Sequence, residues 1–364
     1  MSQNSKEKKN LCWKKSDVRY LSAEEKRRTI PLWESCFPED SREFLEYYYT
    51  EKTKENRIAV IEKEGEILSM LHRNPYRLHV KGQIWESDYL VAVATRKDCR
   101  GKGAMRAVLT KVLEDMNREK MPFTFLMPAA EGIYTPYDFA FVSEGKKYKL
   151  KEENVRYVPV EKTEELEEAA RRMKDWLQTR FEVFTERNKT YAEQLKREVE
   201  SEHGQLRLLC REGKTAGVQA FWGSEKQEQR LLYAPDELCE IHAGNPLIMG
   251  RITELQTFLT AFSLKEKGKL TVLLEAEDRW IPENSGRFLW ELTETSSTVT
   301  RQKTALQAVE DRSQVYLRAK IGQLAQWLMG YREPGAIWTD LPVQTREQLE
   351  QIQTVQGVWI DEVV

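Results

Sequence analysis

The sequence predicts an α/β fold with more than one domain, and three observations support this prediction. The 364 residues exceed what one ordinary hydrophobic core serves, so two or three domains are expected. In the first third of the chain, two apolar hairpins lead into an apolar strand, a glycine-rich loop and an amphipathic helix. The last third mixes strands with short helices, which is typical of a separate α+β domain.

The first hairpin is "RIAVIEKEGEILSMLHRN", which starts at Arg57 and turns at Glu64-Gly65. The second turns at Lys81-Gly82 and ends in the apolar strand from Leu90 to Thr95. After the loop "RKDCRGKG", the segment "AMRAVLTKVLEDMNREK" repeats apolar residues at helical spacing. The next segment, "MPFTFLMPAAEGIYTPYDFAFV", predicts a strand, a break, one helical turn and a second strand.

A similar pattern recurs in the middle of the chain. "QLRLLCREGKTAGVQAFW" repeats the strand, Glu-Gly turn and strand of the first hairpin, and the charged helical stretch "KTEELEEAARRMKDWLQTRFEVF" precedes it. Two unrelated hairpins would give the same pattern, so that alternative stays open. If the repeat is real, its second copy lacks a glycine-rich loop, which predicts a structural rather than a catalytic role.

The last third predicts a strand running into an amphipathic helix in "NPLIMGRITELQTFLTAF". A hairpin around Pro-Glu-Asn-Ser-Gly follows, then the short helix "KIGQLAQWLMGY", the helical "TREQLEQIQTV" and the extended ending "VWIDEVV". The tryptophan and methionine residues of this part are interpreted as core residues rather than as a cofactor site.

Composition excludes several functional classes. The chain is 40% hydrophobic and 32% charged with a net charge of -2, so nucleic acid and anionic membranes are not expected partners. No apolar run approaches the ~18 residues of a membrane span, and the basic start lacks the apolar segment of a secretory signal. The start is therefore interpreted as a solvated tail, and a cytoplasmic location is expected.

Cysteine and histidine usage gives no sign of a disulfide framework or a metal site. The five cysteines are odd in number, scattered and without CxxC spacing, which agrees with a reducing compartment. The four histidines show no ligand spacing, so no metal is expected.

The stretch "VATRKDCRGKGAMRAVL" is the segment that most strongly indicates a ligand-binding site. Gly101 and Gly103 allow the backbone to approach a ligand closely, and the helix that follows offers its positive dipole end. This combination suits a pyrophosphate. The pattern is neither GxxxxGK[ST] nor GxGxxG, and an ordinary strand-to-helix turn remains the alternative.

The loop resembles motif A of the GCN5-related N-acetyltransferases (GNAT), with Met105 where Gly or Ala is usual. "EGIYTPYDFAFV" resembles the family's next motif, with Asp138 where Gly is usual. Together with "IPENSGRF", "LAQWLMGY" and "WIDEVV", these segments resemble the enhanced-intracellular-survival (Eis) type of acetyltransferase. That resemblance implies tandem GNAT domains, the second degenerate, and a sterol-carrier-protein-like domain. The expected ranges are a tail at 1–17 and domains at 18–155, 156–240 and 241–364.

The resemblance also implies residue roles. Tyr134 would be the general acid for the departing CoA thiolate, and the terminal carboxylate of Val364 would be the base. A tyrosine beside the sulfur can share a proton with a thiol, and no nucleophilic cysteine is required. Contacts to acetyl-CoA, the cosubstrate, would come from the strand end, the loop and the residues before Tyr134, namely Val93, Ala94, Thr95, Arg100, Gly101, Lys102, Gly103, Ala104, Met105, Arg106, Ala129 and Ala130.

The apolar pair Val363-Val364 suggests that the end of the chain is tucked into protein. Desolvation would then raise the pKa of the α-carboxylate and make it a better base, with Glu362 helping to attract the cation. The alternative is a tail that only fills a groove.

The acceptor is expected to be a small, amine-bearing molecule. Glu34 and Phe44 lie in an acidic and aromatic stretch that would line the acceptor cleft, although a plain amphipathic helix fits the same pattern. An aminoglycoside, a polyamine, a peptide lysine and a small metabolite all stay open. The resemblance further implies a homohexamer. Two alternatives from other functional classes stay open. One is a catalytically weak acyl-CoA-binding or ligand-binding protein on the same fold, and the other is a lipid-binding role for the C-terminal domain.

Overall fold

The structure, a computed structural model, describes residues 13–151, 155–223, 226–302 and 314–362. The chain forms two compact units. The first unit contains the chain up to Asn74 together with Leu90–Asp115, and the second contains Pro75–Tyr89 together with the chain from Met116.

The first unit is an antiparallel sheet with helices. Its elements, in chain order, are β1 (Val18–Tyr20), α1 (Ile30–Cys36), α2 (Arg42–Thr50), β2 (Arg57–Lys63), β3 (Glu66–Val80), β4 (Gln83–Thr95) and α3 (Ala104–Arg118), the last three of which also extend into the second unit. The strand order is β1-β2-β3-β4. Both predicted hairpins are confirmed.

The Glu64-Gly65 turn between β2 and β3 has positive φ at both residues, 55° and 83°. Such angles match the twist of the flanking strands. Ile58 and Val60 of β2 are fully buried, and so are Leu109 and Leu113 of α3. The amphipathic helix predicted after the loop is therefore confirmed.

The second unit contains three groups of strands. Its remaining elements, in chain order, are β5 (Phe123–Leu126), α4 (Glu131–Tyr134), β6 (Ala140–Leu150), β7 (Arg156–Pro159), α5 (Thr163–Gln178), β8 (Val183–Thr185), α6 (Lys189–Ser201), β9 (Gln205–Arg211), β10 (Lys214–Trp222), β11 (Glu228–Tyr233), β12 (Cys239–Ile252), α7 (Leu255–Leu259), β13 (Leu270–Glu277), β14 (Gly286–Leu292), β15 (Ser297–Gln302), β16 (Gln314–Lys320), α8 (Ile321–Leu328), α9 (Pro334–Ile337), α10 (Val343–Leu349) and β17 (Val358–Trp359).

The first group of this unit orders its strands as β4-β5-β12-β6. Strand β12 pairs antiparallel with both β5 and β6, so it lies between two strands that are close in sequence. Strand β8 pairs with the end of β3 and, in parallel, with β17 near the end of the chain. The predicted boundary between residues 240 and 241 falls within the first residues of β12. The domain ranges themselves stay a prediction.

The second group is the sheet β11-β10-β9-β7. Helices α5 and α6 cover it, and their apolar faces share one core with the sheet. The strand, Glu-Gly turn and strand predicted for the second copy are confirmed as β9 and β10, with φ of 51° at Glu212 and 76° at Gly213.

The third group is the sheet β15-β14-β13-β16, with α8 packed near it. Trp290 and Trp327 meet edge-on with ring centroids 6.3 Å apart, and both are buried. The interpretation as core residues is therefore confirmed for Trp290, Trp327 and Met329, whereas Trp280 is only half-buried. Among the described residues, no helix has the length and apolar character needed to cross a membrane.

Candidate functional site

A glycine-rich loop (residues 96–103) joins β4 to α3 in the first unit. Gly101 and Gly103 have φ of 73° and 82°, a left-handed conformation that glycine adopts without a Cβ clash. A Cβ on Gly101 would meet no atom within 4 Å, so glycine is needed there for its φ and not for space. The first N–H groups of α3 have no partner within the helix. The loop can therefore present N–H groups and a positive helix end to an anion.

The exposed basic side chains Arg100, Lys102 and Arg106 belong to this loop and to the first turn of α3. Arg100 donates from Nε to the carbonyl oxygen of Thr95 at 3.0 Å, so the structure brings two predicted site residues together. Lys102 donates from Nζ to the carbonyl oxygen of Asp98 at 2.7 Å. A Cβ on Gly103 would lie 3.1 Å from a guanidinium nitrogen of Arg106. The positive charges are thus arranged around the loop backbone, as a bound pyrophosphate would require.

The strand end before the loop is irregular. Ala92 has φ of 48°, which is uncommon for a residue with a side chain and disturbs the regular geometry of β4 just before Val93. Ser69 of β3 holds the strand end, because its Oγ donates to the carbonyl oxygen of Ala94 at 3.0 Å and lies 2.9 Å from Thr95 Oγ1.

The first residues of α3 complete this part of the site. Ala104 is buried, whereas Met105, which replaces the usual small residue, is half-buried. The methionine is thus accommodated within a regular helix start.

Tyr134 ends the short helix α4 in the second unit and is only 6% exposed. Its ring meets Phe139 edge-on, with centroids 6.0 Å apart. Burial raises the pKa of Tyr134 to about 12. The hydroxyl therefore keeps its proton at neutral pH and can donate it or a hydrogen bond. Ala129 and Ala130 precede α4 as exposed residues.

The residues after Tyr134 are held by side chains from distant parts of the second unit. The carbonyl oxygen of Pro136 accepts from Trp280 Nε1 at 2.8 Å, and the Tyr137 and Trp280 rings pack with centroids 5.0 Å apart. The carbonyl oxygen of Tyr137 accepts from Arg251 Nε at 2.7 Å. Tyr137 thus contributes to the packing of the turn.

Arg251 belongs to a fully buried polar network. Its Nη2 donates to Asp278 Oδ1 at 2.7 Å, and both side chains are 0% exposed. Asp278 also accepts from the backbone N–H groups of Trp280 and Ile281 and from Asn284 Nδ2. The Pro-Glu-Asn-Ser-Gly segment thereby supports the turn that carries Tyr134.

Asp138 adopts the left-handed conformation, with φ of 60° and ψ of 23°. This explains why glycine suits the position and why aspartate, one of the residues that tolerate these angles, replaces it here. Burial raises the pKa of Asp138 to about 6, Asp278 and Glu277 add to the rise, and Arg251 and Lys320 oppose it.

The end of the described chain is anchored in a buried charge network. Arg187 is 1% exposed and donates to Asp361 Oδ1 at 2.6 Å and to Glu362 Oε1 at 2.8 Å. Tyr233 donates to Asp361 Oδ2 at 2.7 Å, and Arg230 donates to the carbonyl oxygen of Asp361 at 2.8 Å.

This network corrects the expectation that Glu362 helps to attract a cationic acceptor. Glu362 is 1% exposed and paired with Arg187, so its charge is compensated internally rather than offered to an incoming cation. The predicted base, Val364, lies outside the described residues, as does Val363.

Tyr89 is a buried tyrosine of β4 whose pKa is influenced by groups from both the Tyr134 turn and the end of the chain. Burial raises the pKa of Tyr89 above its ordinary value, and the nearby Glu362 and Tyr134 add to the rise. Its ring stacks on Phe125 of β5 at 5.1 Å and meets Tyr76 at 6.3 Å. Tyr134 and Glu362 are therefore near enough to Tyr89 for their charges to influence its pKa.

The two predicted acceptor residues lie in the first unit and differ from each other. Glu34 of α1 is exposed. Phe44 of α2 is 6% exposed and packs against Tyr47 and Tyr48, at centroid distances of 6.4 and 6.2 Å. The expectation that Phe44 lines a cleft is corrected, because it belongs to the packed core of the unit.

Several residues around Tyr134 and the tail were not predicted. Arg187, Arg230 and Arg251 lie in ordinary-looking charged stretches, and their ion partners are separated from them by 175, 32 and 27 residues. Nothing in local spacing indicates such pairs. Tyr76 and Tyr89 fall at strand positions where an aromatic residue is expected in any buried sheet.

Comparison with known families identifies two domains in the chain. Residues 17–142 match the profile of an acetyltransferase (GNAT) domain, and residues 255–359 match that of a sterol carrier protein domain. Among curated proteins, no sequence matches the chain.

The fold is similar to several solved structures that span almost the whole chain. A conserved protein from Enterococcus faecalis, described as a probable N-acyltransferase, is 18% identical with a TM-score of 0.74 over 94% of this chain and 99% of that one. A GCN5-related N-acetyltransferase from Anabaena variabilis is 16% identical with a TM-score of 0.73 over the same shares. Eis1 from Mycobacterium abscessus is 12% identical with a TM-score of 0.64 over 93% of each chain. At these identities the likeness shows the fold alone, and the Eis-like fold predicted from the sequence is confirmed.

Proposed function

We propose that this chain, which combines an acetyltransferase (GNAT) domain with a sterol carrier protein domain, transfers acetyl from acetyl-CoA directly to a primary amine. The observation that carries the proposal is the buried Tyr134 at the end of α4, whose pKa of about 12 keeps its hydroxyl protonated. The GNAT fold implies an acyl-CoA cosubstrate, and acetyl is the acyl group favoured by the family resemblance.

In the proposed reaction the amine nitrogen attacks the thioester carbonyl carbon, and the carbon–sulfur bond breaks. The terminal carboxylate of Val364 accepts the proton that the amine loses. The Tyr134 hydroxyl donates a hydrogen bond to the leaving sulfur. The pKa of Tyr134 lies above the ~8.5 of a thiol, so its main action is a hydrogen bond that stabilises the developing thiolate. Complete transfer of the Tyr134 proton to the sulfur is uphill at these pKa values, so CoA leaves as a thiolate stabilised by this hydrogen bond.

The glycine-rich loop would hold the pyrophosphate of CoA. Support comes from the left-handed φ of Gly101 and Gly103, the start of α3 and the exposed Arg100, Lys102 and Arg106. Val93, Ala94 and Thr95 would contact the pantetheine arm through their backbone.

The acceptor would be a cationic amine bound by aromatic walls. Tyr76 is half-buried, and burial raises the pKa of its hydroxyl well above the ordinary value. The half-buried ring of Tyr76 offers a face that can attract an ammonium group.

An amine panel tests the function. Release of CoA from acetyl-CoA is followed with polyamines, aminoglycosides, lysine peptides and small metabolite amines, using Tyr134→Phe as the inactive control. At least one amine should give release that Tyr134→Phe loses. Tight binding of acetyl-CoA without turnover on any amine would instead favour the catalytically weak binding protein.

A homohexamer in the cytoplasm is also proposed, from the family resemblance alone. Sedimentation velocity of the purified chain tests the assembly. A monomer at micromolar concentration would reject it.

A further inference from the structure

We propose that Trp280 and Arg251 are positioning residues that fix the place of Tyr134. They act through the carbonyl oxygens of Pro136 and Tyr137, in the turn that follows Tyr134. This inference deepens the proposed function and rests on Tyr134 acting at the sulfur.

Two successive carbonyl groups of the turn are held by two different elements of the second unit. Trp280, before β14, donates to Pro136, and Arg251, in β12, donates to Tyr137, at 2.8 and 2.7 Å. The Trp280 ring also packs on the Tyr137 ring at an angle of 33°. Bonds to consecutive carbonyl groups fix the direction of the chain as well as its position.

One carboxylate orients both of these donors. Asp278 Oδ1 accepts from Arg251 Nη2 and also from the backbone N–H of Trp280, at 2.7 and 2.9 Å. Asn284 Nδ2 holds the other oxygen of Asp278 at 3.0 Å. The segment "IPENSG" and the ion pair thus form one support for the turn. Because the pair is fully buried, it is not weakened by solvent screening.

The turn needs such support. Helix α4 has only four residues, and a helix of that length is not stable by itself. Gly322 of α8 adds a close approach, because a Cβ there would lie 3.1 Å from the carbonyl oxygen of Asp138. A displacement of the catalytic hydroxyl by about 1 Å can cost as much as 10²-fold in rate.

Trp280→Phe is the main test variant, because it keeps a smaller aromatic ring beside Tyr137 and removes the N–H that binds Pro136. We expect kcat to fall about tenfold, while KM for acetyl-CoA and the melting temperature stay close to those of the native chain. Trp290→Phe is the matched control. It loses the bond from Nε1 to Ser297 Oγ, 2.9 Å long, within the C-terminal sheet, and it should leave kcat unchanged.

The decisive measurement is a double-mutant cycle with Tyr134→Phe. If Trp280 acts through the hydroxyl of Tyr134, Trp280→Phe should have almost no further effect on kcat in the Tyr134→Phe background. Arg251→Lys keeps the charge beside Asp278, loses the Nε donor to Tyr137 and should show the same loss of additivity.

An unchanged kcat in Trp280→Phe, or a tenfold loss that persists in the Tyr134→Phe background, would overturn the inference. The proposed function fails in a different way, namely when Tyr134→Phe alone turns over normally. Should Arg251→Lys not fold, the cycle with Trp280→Phe decides the matter alone.

Discussion

The glycine-rich loop and the turn after Tyr134 differ in what fixes their shape. The loop is shaped by its own residues, because Gly101 and Gly103 adopt positive φ and Arg100 bonds to Thr95, five residues away. The turn depends on Arg251 and Trp280, which lie 114 and 144 residues beyond the carbonyl groups they hold. A binding loop can therefore be encoded locally, whereas the placement of a buried proton donor depends on distant parts of the chain.

Replacement of Tyr134 is expected to reduce kcat more than any other change considered. Tyr134→Phe keeps the buried ring beside Phe139 and removes the hydroxyl, so kcat should fall by about 10²–10⁴ while acetyl-CoA binding changes little. Steady-state kinetics together with calorimetric titration of acetyl-CoA measure the two quantities separately.

Tyr137→Phe is the matched control for that experiment. It removes a hydroxyl from the same turn while the ring contact with Trp280 and the backbone bond to Arg251 remain. Its kcat should stay within about twofold of the native value. The reverse result, an active Tyr134→Phe with an inactive Tyr137→Phe, would show that the wrong tyrosine was assigned.

The second prediction concerns the loop. Gly103→Glu places a side chain at a φ of 82° and a negative charge where the pyrophosphate is proposed. Repulsion at about 5 Å with an effective dielectric constant of about 20 costs about 3 kcal/mol, so Kd for acetyl-CoA should rise about 100-fold.

Gly213→Glu controls for backbone strain and added charge. It changes a turn glycine with a φ of 76° in the β9–β10 hairpin, where a Cβ meets no atom within 4 Å. Its acetyl-CoA affinity should equal that of the native chain. If the two variants bind equally well, the loop does not hold the pyrophosphate.

The sequence predicted what local chemistry determines. The turns at Glu64-Gly65 and Lys81-Gly82, the helix after Gly103 and the strand, break and helical turn around Tyr134 all follow from spacing and turn residues. It also predicted the buried aromatic character of the C-terminal sheet.

Other features depend on contacts that no local pattern reveals. Glu362 was expected to face a cation because it is acidic and close to the end of the chain. Its pairing with Arg187 requires β17 to lie beside β8, which is a consequence of the tertiary fold. Phe44 was expected in a cleft because acids surround it, but its ring points into the core. Burial on an amphipathic helix follows from which face meets the sheet, and a short stretch rich in both acids and aromatics does not specify that face.

The third prediction tests the end of the chain, which resembles the turn in depending on distant residues. Extending the chain by several residues after Val364 moves the terminal carboxylate but leaves the anchors of Asp361 and Glu362 at Arg187 intact. We expect kcat/KM for the amine to fall at least about tenfold, with acetyl-CoA affinity unchanged. The same extension at the amino terminus is the control. A kinetically silent C-terminal extension would remove the carboxylate from the mechanism.

The smallest expected effect is on stability and concerns Asp138, whose pKa in the folded protein is about 6. An aspartate in an unfolded chain has a pKa of about 3.9, so the folded state holds this proton more tightly. The ionised carboxylate therefore destabilises the fold above about pH 6, and this penalty disappears as the pH falls towards 4. Asn tolerates the same left-handed angles as Asp and cannot ionise.

Asp138→Asn should accordingly raise the melting temperature at pH 8 and lose that gain between pH 6 and pH 4. A half-buried carboxylate is partly screened by solvent, so the gain in the free energy of unfolding is about 1 kcal/mol, or roughly 2 °C. Asp340→Asn, at an exposed aspartate, is the control for loss of a surface carboxylate. The groups facing Asp138 set the size of the effect, because Asp278 and Glu277 oppose its ionisation while Arg251 and Lys320 favour it. A gain that is equal at pH 4 and pH 8 would show that the substitution acts through backbone conformation and not through the buried charge.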